Sequence, residues 1–268
     1  ARTMHGTRRV ASVAAAIAAC VPLAAAAEAG GQGTLDEVTV VGQRQAYRGD
    51  VPIADTPQSI TVLDAERLAD AGVVRLADAL ELSASIARQN DFGGLWEAFA
   101  VRGFAGDENL PSGYLVNGFN AGRGFGGPRD ASGIERIEVL KGPNAALYGR
   151  GEPGGSVNLV TKKPRFERGG SVAVSAGSYD HYRGEVDWTG PLGDAVAVRL
   201  VGHYDDAGSF RDTIESTRYG ALPSVLVRLG ERVTLGYELE WSRQEIPFDR
   251  GVVAIGGRLG AVPRDRFL

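Results

Sequence analysis

The side chains that could carry out chemistry are few and widely spaced in this chain of 268 residues. Its three histidines, His5, His181 and His203, include no pair at the spacing that places two metal ligands on one face of a helix. The single cysteine, Cys20, has no second cysteine with which to form a disulfide or a thiolate metal site. No nucleophile beside a base and no pair of catalytic carboxylates is recognisable. The sequence therefore predicts a protein that is not an enzyme and that binds no metal ion or cofactor directly.

Two glycine-rich segments are superficially similar to nucleotide-binding loops but lack the features that such loops require. Gly122–Gly127 fits the dinucleotide fingerprint G-x-G-x-x-G, but that site requires a buried strand before it and a helix after it. Pro128, Arg129 and Asp130 follow instead, in a region rich in turn-forming residues. Gly149–Ser156 lacks the Gly-Lys-Ser of a phosphate-binding loop. These contexts argue against nucleotide binding.

The composition excludes one class of partner and indicates a turn-rich fold. With 29 basic and 33 acidic residues, the net charge of -4 gives no reason to expect nucleic acid as a partner. The 38 glycines exceed the share of about 7% that is usual in proteins. Glycine at this level indicates many turns and close approaches between backbone segments.

The first 27 residues have the features of a secretory signal peptide. Met4 is the expected start, with residues 1–3 as upstream read-through, and Arg8 and Arg9 form a positive region. Val10–Ala27 is then nearly all apolar, and it ends in three small residues before Glu28, as signal peptidase requires. No later stretch reaches the roughly 18 apolar residues of a transmembrane helix. We therefore expect the mature chain to leave the cytoplasm without a helical anchor.

A second interpretation of the same leader involves its cysteine. Ile17–Cys20 resembles a lipobox, in which Cys20 would become the lipidated first residue of a surface lipoprotein. The mass of the mature N-terminus distinguishes this alternative from cleavage before Glu28.

Residues 28–55 are expected to form an extended tail in the periplasm. A brief β-prone run, Asp36–Val41, lies between a glycine-rich stretch and the polar linker Gln43–Thr56. The alternative interpretation is an ordinary edge strand. Because a strand without a local partner offers free backbone groups, this run is suited to pairing with the sheet of another protein.

Residues 56–164 have the pattern of a compact α+β domain. Asp64 is a plausible N-cap for a helix over Ala65–Ala71, with Gly72 as its stop signal. A second helix is predicted over Val74–Leu82, where Leu76, Ala79 and Leu80 share one face. Strands are predicted over Ser59–Leu63, Phe99–Phe104, Tyr114–Val116 and Ile134–Leu140.

Residues 165–268 change to segments in which apolar and polar residues alternate. The clearest are Tyr182–Thr189, Val196–Tyr204 and Val233–Trp241, with turn signals between them. Alternation with aromatics toward the strand ends is typical of a transmembrane β-barrel, apolar outward and polar inward. The alternative is a soluble β-sandwich, whose strands also alternate. About five such strands fit after Pro164, whereas a barrel needs about eight or more to close, so we expect a fragment or truncated product of a larger protein.

The motifs of the middle region, taken in order, resemble those of the TonB-dependent siderophore receptors. The resemblance runs from Asp36 to the end of the chain and is strongest over Thr56–Pro164. Single motifs would be weak evidence, but this many in one order are specific. They are Thr56–Ile60, Val101–Phe104, Tyr114–Gly118, Ile134–Pro143, Leu147–Gly149, Pro153–Gly155 and Val157–Pro164.

The resemblance implies a fold and a transport role. The fold is an α+β plug domain (residues 56–164) followed by the first antiparallel strands of a large transmembrane β-barrel (165–268), in the cell outer membrane and in contact with its lipid. The implied function is to bind a ferric siderophore and import it with energy from TonB, ExbB and ExbD. Iron would arrive already chelated. The alternatives are import of cobalamin, haem or a glycan, or a lipoprotein or adhesin that only binds.

The resemblance also implies three sets of site residues. The TonB box corresponds to Asp36, Glu37, Val38, Thr39, Val40 and Val41. Ligand contacts on the apical plug loops correspond to Arg88, Asn90, Glu108, Asn109, Arg123 and Phe125, since arginine and aromatic side chains suit a polar, often anionic chelate. Ion pairs between plug and barrel, which would break and re-form during transport, are expected from Arg102, Glu135, Arg136, Glu138 and Lys141.

Overall fold

The structure, a computed structural model, describes residues 59–89, 93–106, 113–122, 127–143, 151–212, 214–230 and 232–248, and the single positions 256, 260, 263, 265 and 266. All of these lie in one compact unit, Val40–Leu268. The predicted signal peptide, TonB box and linker fall outside the described residues. So do five of the six predicted ligand contacts: Asn90, Glu108, Asn109, Arg123 and Phe125.

The region predicted as a plug, called the plug region below, is a mixed sheet with two short helices on it. Its five-stranded sheet has the order β1-β6-β7-β4-β5, in which β4 and β7 are parallel and the other neighbours antiparallel. Strands β2 and β3 form a separate antiparallel pair. The elements are β1 (Ser59–Asp64), α1 (Ala65–Asp70), α2 (Leu76–Leu80), β2 (Ile86–Arg88), β3 (Phe99–Val101), β4 (Tyr114–Val116), β5 (Phe119–Asn120), a 3-10 turn (Ala131–Gly133), β6 (Ile134–Lys141) and β7 (Gly155–Thr161).

Local chemistry sets the ends of the helices. Asp64 caps α1 as predicted, its carboxylate accepting a hydrogen bond of 2.9 Å from the backbone N–H of Arg67. The second helix is shorter than predicted, because the chain before Leu76 is extended instead of helical. The carbonyl of Val74 accepts from the backbone N–H of Ala131 at 2.9 Å, which holds it against the 3-10 turn. The predicted start at Val74 is therefore wrong.

The strand predicted over Phe99–Phe104 is also shorter, since it ends at Val101. Arg102 and Gly103 have positive φ angles of 53° and 88°, which reverse the chain. The turn packs against Gly154, where an added Cβ would lie only 2.0 Å from the carbonyl oxygen of Val101. Glycine is therefore required by this close approach.

Apolar side chains from the helices and the sheet form the larger of two core clusters in the described plug region. The helices contribute Leu68, Leu76, Ala79 and Leu80 to it. The sheet contributes Leu63, Tyr114, Ile134, Ile137, Val157 and Leu159, and the β3 strand adds Phe99 and Val101. This packing fixes the orientation of strands β4, β6 and β7, whose ends carry most of the polar groups described below.

The rest of the described chain forms an open antiparallel sheet, called the outer sheet below. Neighbours run in the order β8-β9-β10-β11-β12, and β13 pairs with β11 beyond the end of β12. The predicted segment Val233–Trp241 is thus two strands, interrupted at Leu239 and Glu240. The strands are β8 (Gly169–Gly177), β9 (His181–Pro191), β10 (Val196–Ala207), β11 (Ser216–Leu229), β12 (Val233–Glu238) and β13 (Trp241–Glu245).

In β9 and β10 the outer sheet exposes its apolar face and covers most of its polar face. Trp188 and Leu200 are 44% and 47% exposed, whereas Arg183 and Asp205 are 6% and 1% exposed. A soluble sandwich would bury the apolar set, so this alternative is excluded. The predicted fold class, a plug domain followed by antiparallel strands with apolar side chains outward, is confirmed. Within the described ranges, no helix is long and apolar enough to cross a membrane.

Candidate functional site at the seam between plug region and outer sheet

In the described part of the chain, four ion pairs of arginine or lysine with an acid join the plug region to the polar face of the outer sheet, and we call this junction the seam. Two arise from consecutive residues after the glycine-rich segment, and two from consecutive lysines after β7. The pairs are Arg129–Glu240 at 3.0 Å, Asp130–Arg183 at 2.8 Å, Lys162–Asp187 at 2.9 Å and Lys163–Glu238. Each crosses between elements distant in sequence, so the pairs exist only when the two parts are docked.

Arg129 connects the buried interior of the plug region to the outer sheet. Its Nε donates to both carboxylate oxygens of Glu240 at 3.0 Å. Its Nη1 donates to the hydroxyl of Tyr114 at 2.9 Å, and the guanidinium lies 5.6 Å from the centroid of that ring. One side chain thus satisfies the hydroxyl of a fully buried tyrosine and binds a carboxylate on the outer sheet.

The backbone of the same residue holds a buried acid. The N–H of Arg129 donates to Glu97 Oε1 at 2.7 Å, and Glu97 is only 2% exposed. Burial raises the pKa of Glu97 to about 7, against the opposing effects of this hydrogen bond and of the nearby Arg129 and Arg75 charges. Near neutral pH the carboxyl is therefore close to half ionised.

Asp130 is the other anchor, and its carboxylate has three donors. Arg183 Nη1 and Nη2 each donate to it at 2.8 Å, and the backbone N–H of Ser132 donates at 2.9 Å and begins the 3-10 turn. Burial acts to raise the pKa of Asp130, but the hydrogen bonds from Arg183 and Ser132 and the charges of His203 and Arg183 hold it below its usual value. Asp130 therefore stays ionised.

Behind Asp130, the outer sheet carries a polar network of its own. Arg183 Nε donates to Glu185 at 2.6 Å, and its Nη1 lies 3.6 Å from Asp205. Asp205 is also 2.9 Å from the ring of His181. The ring of His203 lies 3.3 Å from the hydroxyl of Ser132, which adds a neutral contact across the seam.

The connection between β7 and β8 is bound to the outer sheet at several points. Arg199 donates to both oxygens of Asp187, at 2.8 and 2.6 Å, and to the carbonyl of Lys163 at 3.0 Å. The backbone N–H of Arg165 donates to the Thr189 hydroxyl at 2.9 Å. The C-terminal end of the plug region is therefore fastened through both backbone and side chains.

A second polar chain runs through the plug sheet and ends at the seam. Arg136 Nε donates to Glu138 at 2.9 Å, and Asn158 Nδ2 donates to the other oxygen of Glu138 at 2.8 Å. Burial raises the pKa of Glu138, although the hydrogen bonds from Asn158 and Arg136 act in the other direction. Asn158 Oδ1 accepts from the backbone N–H of Gly118 at 2.9 Å. The buried side chains of β6 and β7 thus hold the β4–β5 turn.

At that turn, Asn117 continues the chain to the outer sheet. Its side-chain amide donates to the Thr161 hydroxyl at 2.8 Å, and that hydroxyl donates to Glu238 at 2.6 Å. Glu238 also accepts from Lys163. Hydrogen bonds on either side of the Asn117–Gly118 peptide therefore link the interior of the plug sheet to strand β12.

The predicted ion-pairing residues occupy different environments from one another. Arg136 and Glu138 pair with each other on β6, inside the plug region. Arg102 and Glu135 are exposed, and Lys141 lies opposite Ser59 and Gly155 in the sheet register. Contacts from these five residues to the outer sheet stay a prediction.

Among the predicted ligand contacts, Arg88 is the one that falls in the described chain. It ends β2 and pairs with Glu81 at 3.1 Å. The seam residues Arg129, Asp130, Lys162 and Lys163 were not predicted. The sequence did contain one signal for them. Each is one of two adjacent charged residues, and each such pair lies close to a strand of the recognised motifs, β6 or β7.

Comparison with known proteins decides the family. The TonB-dependent receptor plug domain matches residues 52–156 of the chain. The chain belongs to the TonB-dependent receptor family. The members of this family are receptors that transport, so the prediction that the chain is not an enzyme is confirmed. The plug domain match overlaps every strand of the mixed sheet described above.

Three relatives of this TonB-dependent receptor illustrate the similarity. The chain is 41% identical over 224 residues to the metal-pseudopaline receptor CntO of Pseudomonas aeruginosa, covering 83% of this chain and 31% of that protein. It is 33% identical over 255 residues to the catecholate siderophore receptor Fiu of Escherichia coli, covering 88% and 32%. The solved structure of P. aeruginosa FpvA with a heterologous pyoverdine superposes with a TM-score of 0.72 at 27% identity, over 83% of this chain and 30% of that one.

The chain spans about a third of the length of these relatives. The part that matches comprises the plug region and the first strands of the outer sheet, and the ligands in the relatives' names are properties of those proteins.

Proposed function

We propose that this chain acts in an outer-membrane receptor that binds a ferric siderophore and imports it into the periplasm with energy from TonB, ExbB and ExbD. The observation that carries the proposal is the seam. A compact plug region sits on the polar face of a sheet whose apolar face is exposed, and ion pairs and hydrogen bonds hold it there. Such a junction permits the plug region to be displaced or remodelled without breaking its apolar core.

The exposed face of the outer sheet supports the proposed location. Val186, Trp188, Leu200, Leu235 and Trp241 are all more than a third exposed. A row of large apolar side chains of this extent is unfavourable in water and is suited to the hydrocarbon of a membrane. The polar face opposite is suited to a lumen.

The proposed partner on the periplasmic side is TonB, through Asp36–Val41. A short β-prone run with acidic residues before it can add to an exposed sheet edge by main-chain hydrogen bonds. Force applied at this run would reach the plug region through β1, which follows it in the chain and lies at the edge of the plug sheet.

The proposed cargo is a ferric siderophore, contacted by Arg88, Asn90, Glu108, Asn109, Arg123 and Phe125. CntO, Fiu and the ferripyoverdine receptor are each named for a chelate that carries metal. The highest identity quoted above is to a receptor for a metal-pseudopaline complex, which favours a second candidate, a metallophore chelate of another metal. Cobalamin, haem or a glycan are the remaining alternatives.

Uptake by a strain that lacks the gene, complemented with wild type or variants, tests the proposal. Val38→Pro removes a backbone donor from the proposed TonB-pairing strand, so uptake of radiolabelled ferric siderophore should fall to the level of the deletion strain, with ligand binding retained. Val38→Ile keeps a strand-forming side chain and is the matched control. Unchanged uptake in the proline variant would refute the energised mechanism. Growth on a panel of siderophores under iron limitation identifies the cargo, and no defect on any of them would refute the iron assignment.

A further inference from the structure

Two arginines just before strand β8 lie on opposite faces of the outer sheet. Arg165 is on the polar face, because a Cβ added at Gly169 would lie 3.5 Å from its Nη2, and Gly169 is opposite the buried Thr189. Arg168 is on the apolar face, because a Cβ added at Gly190 would lie 3.3 Å from its Cγ. Gly190 follows Thr189 in β9 and therefore faces the other way.

Gly190 provides the space in which Arg168 and Trp188 come together. The same added Cβ would lie 3.4 Å from Cζ2 of Trp188, so the arginine stem and the indole ring border the backbone of one glycine. The φ angle of Gly190 is not positive, so glycine serves here to make room and not to allow a special backbone conformation. Gly170 is opposite Trp188 in the register of β8 and β9, and it leaves that side of the ring without a neighbouring side chain. A shallow groove therefore lies beside Trp188, with Arg168 at its end.

The guanidinium of Arg168 has no acidic partner among the residues that the structure describes. Glu167, its neighbour in the chain, and Asp194, in the turn after β9, are exposed, and neither forms an ion pair with it. On the outward face of β10 the acid is Asp206, near the other end of that strand. The outward-facing positions near Arg168 on β8, β9 and β10 are apolar residues or glycine, namely Gly170, Val172, Trp188, Gly190, Val198 and Leu200.

Arg168 and Trp188 lie at the edge of the apolar face. Strand β9 ends at Pro191, one residue after Gly190. Tryptophan is enriched where the hydrocarbon of a membrane meets the lipid headgroups. An arginine stem can lie along apolar surface there while its guanidinium reaches the headgroup phosphates, which it binds through paired hydrogen bonds. The arrangement is therefore suited to a lipid whose phosphate contacts Arg168.

We propose that Arg168, Trp188 and Gly190 form a binding site for one anionic phospholipid, with the headgroup phosphate on Arg168 and an acyl chain over Gly170 beside the indole ring. An anionic headgroup supplies the negative charge that the protein does not place here, whereas a zwitterionic headgroup carries its own cation. The site rests on the proposed location of the apolar face in a membrane, and it adds a lipid of defined charge at a defined place. It does not depend on the identity of the imported ligand.

Native mass spectrometry of the full-length receptor, purified in detergent and mixed with phosphatidylglycerol or phosphatidylcholine, tests the charge of the site. The wild type should retain one more molecule of phosphatidylglycerol than of phosphatidylcholine. Arg168→Met keeps much of the stem and removes the charge, so binding of that molecule should weaken by about tenfold. Arg165→Met is the matched control, since it removes the same charge on the polar face, and it should bind as the wild type does. Equal retention of the two lipids by the wild type, or equal losses in both variants, would overturn the proposal.

Gly190→Ala tests the geometry of the site while every charge is kept. Its Cβ would displace the Arg168 stem or the Trp188 ring, so retention of phosphatidylglycerol should fall toward that of Arg168→Met. Gly193→Ala is the control, because an added Cβ there meets nothing within 4 Å. Unchanged retention in Gly190→Ala would contradict a site built on this glycine. A receptor that imports siderophore without any lipid preference would overturn this site alone, whereas lost import with the preference kept would overturn only the proposed function.

Discussion

Asp130 of the plug region and Arg183 of strand β9 form a two-point ion pair, with both terminal guanidinium nitrogens 2.8 Å from the carboxylate oxygens. The two side chains are 10% and 3% exposed. Paired geometry of this kind fixes the direction of approach as well as the distance. Since Asp130 also begins the 3-10 turn that leads into β6, the pair sets where the plug sheet meets the outer sheet.

The first prediction concerns the loss of this pair. Asp130→Asn removes the charge and leaves Arg183 buried with Glu185 and Asp205 alone, so docking of the plug region should weaken by about 3 kcal/mol. Hydrogen exchange of backbone amides in β6 and β7 measures the change, and it should accelerate in the variant.

A matched control for this prediction is the exposed pair of Arg88 and Glu81, whose side chains are 37% and 56% exposed. Arg88→Gln should change the free energy of local opening, obtained from the exchange rates, by less than about 1 kcal/mol, because solvent screens the pair. If both variants behave alike, the buried pair does not determine docking.

The second prediction is a pH dependence of stability from Glu97. Its pKa is raised in the folded state from 4.5 to about 7, so its contribution to stability is complete below about pH 4.5 and is lost as pH rises through 7. At about 1.4 kcal/mol per pH unit, the loss approaches 3 kcal/mol. Glu97→Gln keeps an acceptor for the Arg129 N–H and cannot ionise. The variant should therefore be more stable than the wild type at pH 8, and this advantage should disappear near pH 4.5.

Denaturant unfolding of the two proteins at several pH values measures this difference. Glu66→Gln, on the exposed face of α1, is the control and should follow the wild type at each pH. A constant difference between Glu97→Gln and wild type from pH 4.5 to 8 would show that Glu97 does not titrate in this range.

Features that depend on neighbouring residues could be predicted from the sequence. The N-cap at Asp64, the strand at Tyr114–Val116 and the apolar-outward alternation in β9 and β10 were all predicted, because capping and side-chain alternation are local properties of the chain. The ends of α2 and β3 were wrong. Contacts with distant segments hold Val74 extended, and a turn packed on Gly154 ends β3.

The seam and two of the outer strands could not be predicted in the same way. Arg129 meets Glu240, which is 111 residues later, and no local pattern specifies that meeting. Strand β11 contains Gly220 and Pro223, which interrupt its alternation. Strand β8 consists of glycine, serine, alanine and valine and has weak strand signals. Both segments are strands because they pair with neighbouring strands, β11 with β10 and β8 with β9. The spacing of residues in the sequence does not reveal this pairing.

The third prediction addresses the buried hydrogen bonds between Glu138, Asn158 and the β4–β5 turn. Asn158→Asp replaces the amide that donates to Glu138 with a second carboxyl group. At least one of the two acids must then stay protonated, so the variant should be destabilised by about 2–3 kcal/mol at pH 8 and by less at pH 5. Asn158→Ala also loses the donor to Glu138 but adds no charge, so its destabilisation should differ less between pH 5 and pH 8 than that of Asn158→Asp. Denaturant unfolding distinguishes them, and equal pH profiles would argue against contact between the two acids.

The fourth prediction compares two residues of the connection between β7 and β8. Arg199 is largely buried and makes three hydrogen bonds to Asp187 and Lys163, so Arg199→Met should cost about 2–3 kcal/mol. Lys163 pairs with Glu238 where both side chains are more than a third exposed, and Lys163→Met should cost less than about 1 kcal/mol. Susceptibility of the connection to a protease measures both. Faster cleavage of the lysine variant than of the arginine variant would contradict this order.

The fifth prediction tests whether the apolar face of the outer sheet contacts lipid or water. Leu200 lies in the middle of β10 and is 47% exposed, so Leu200→Arg in water should change stability by less than about 0.5 kcal/mol. In a bilayer the same substitution places a charge against hydrocarbon and should cost about 2–4 kcal/mol. Unfolding from lipid vesicles measures the effect, with Ser171→Arg, at an exposed position opposite Asp187 on the polar face, as the comparison. A cost for Leu200→Arg that is no greater in vesicles than in aqueous solution would exclude contact of this face with lipid.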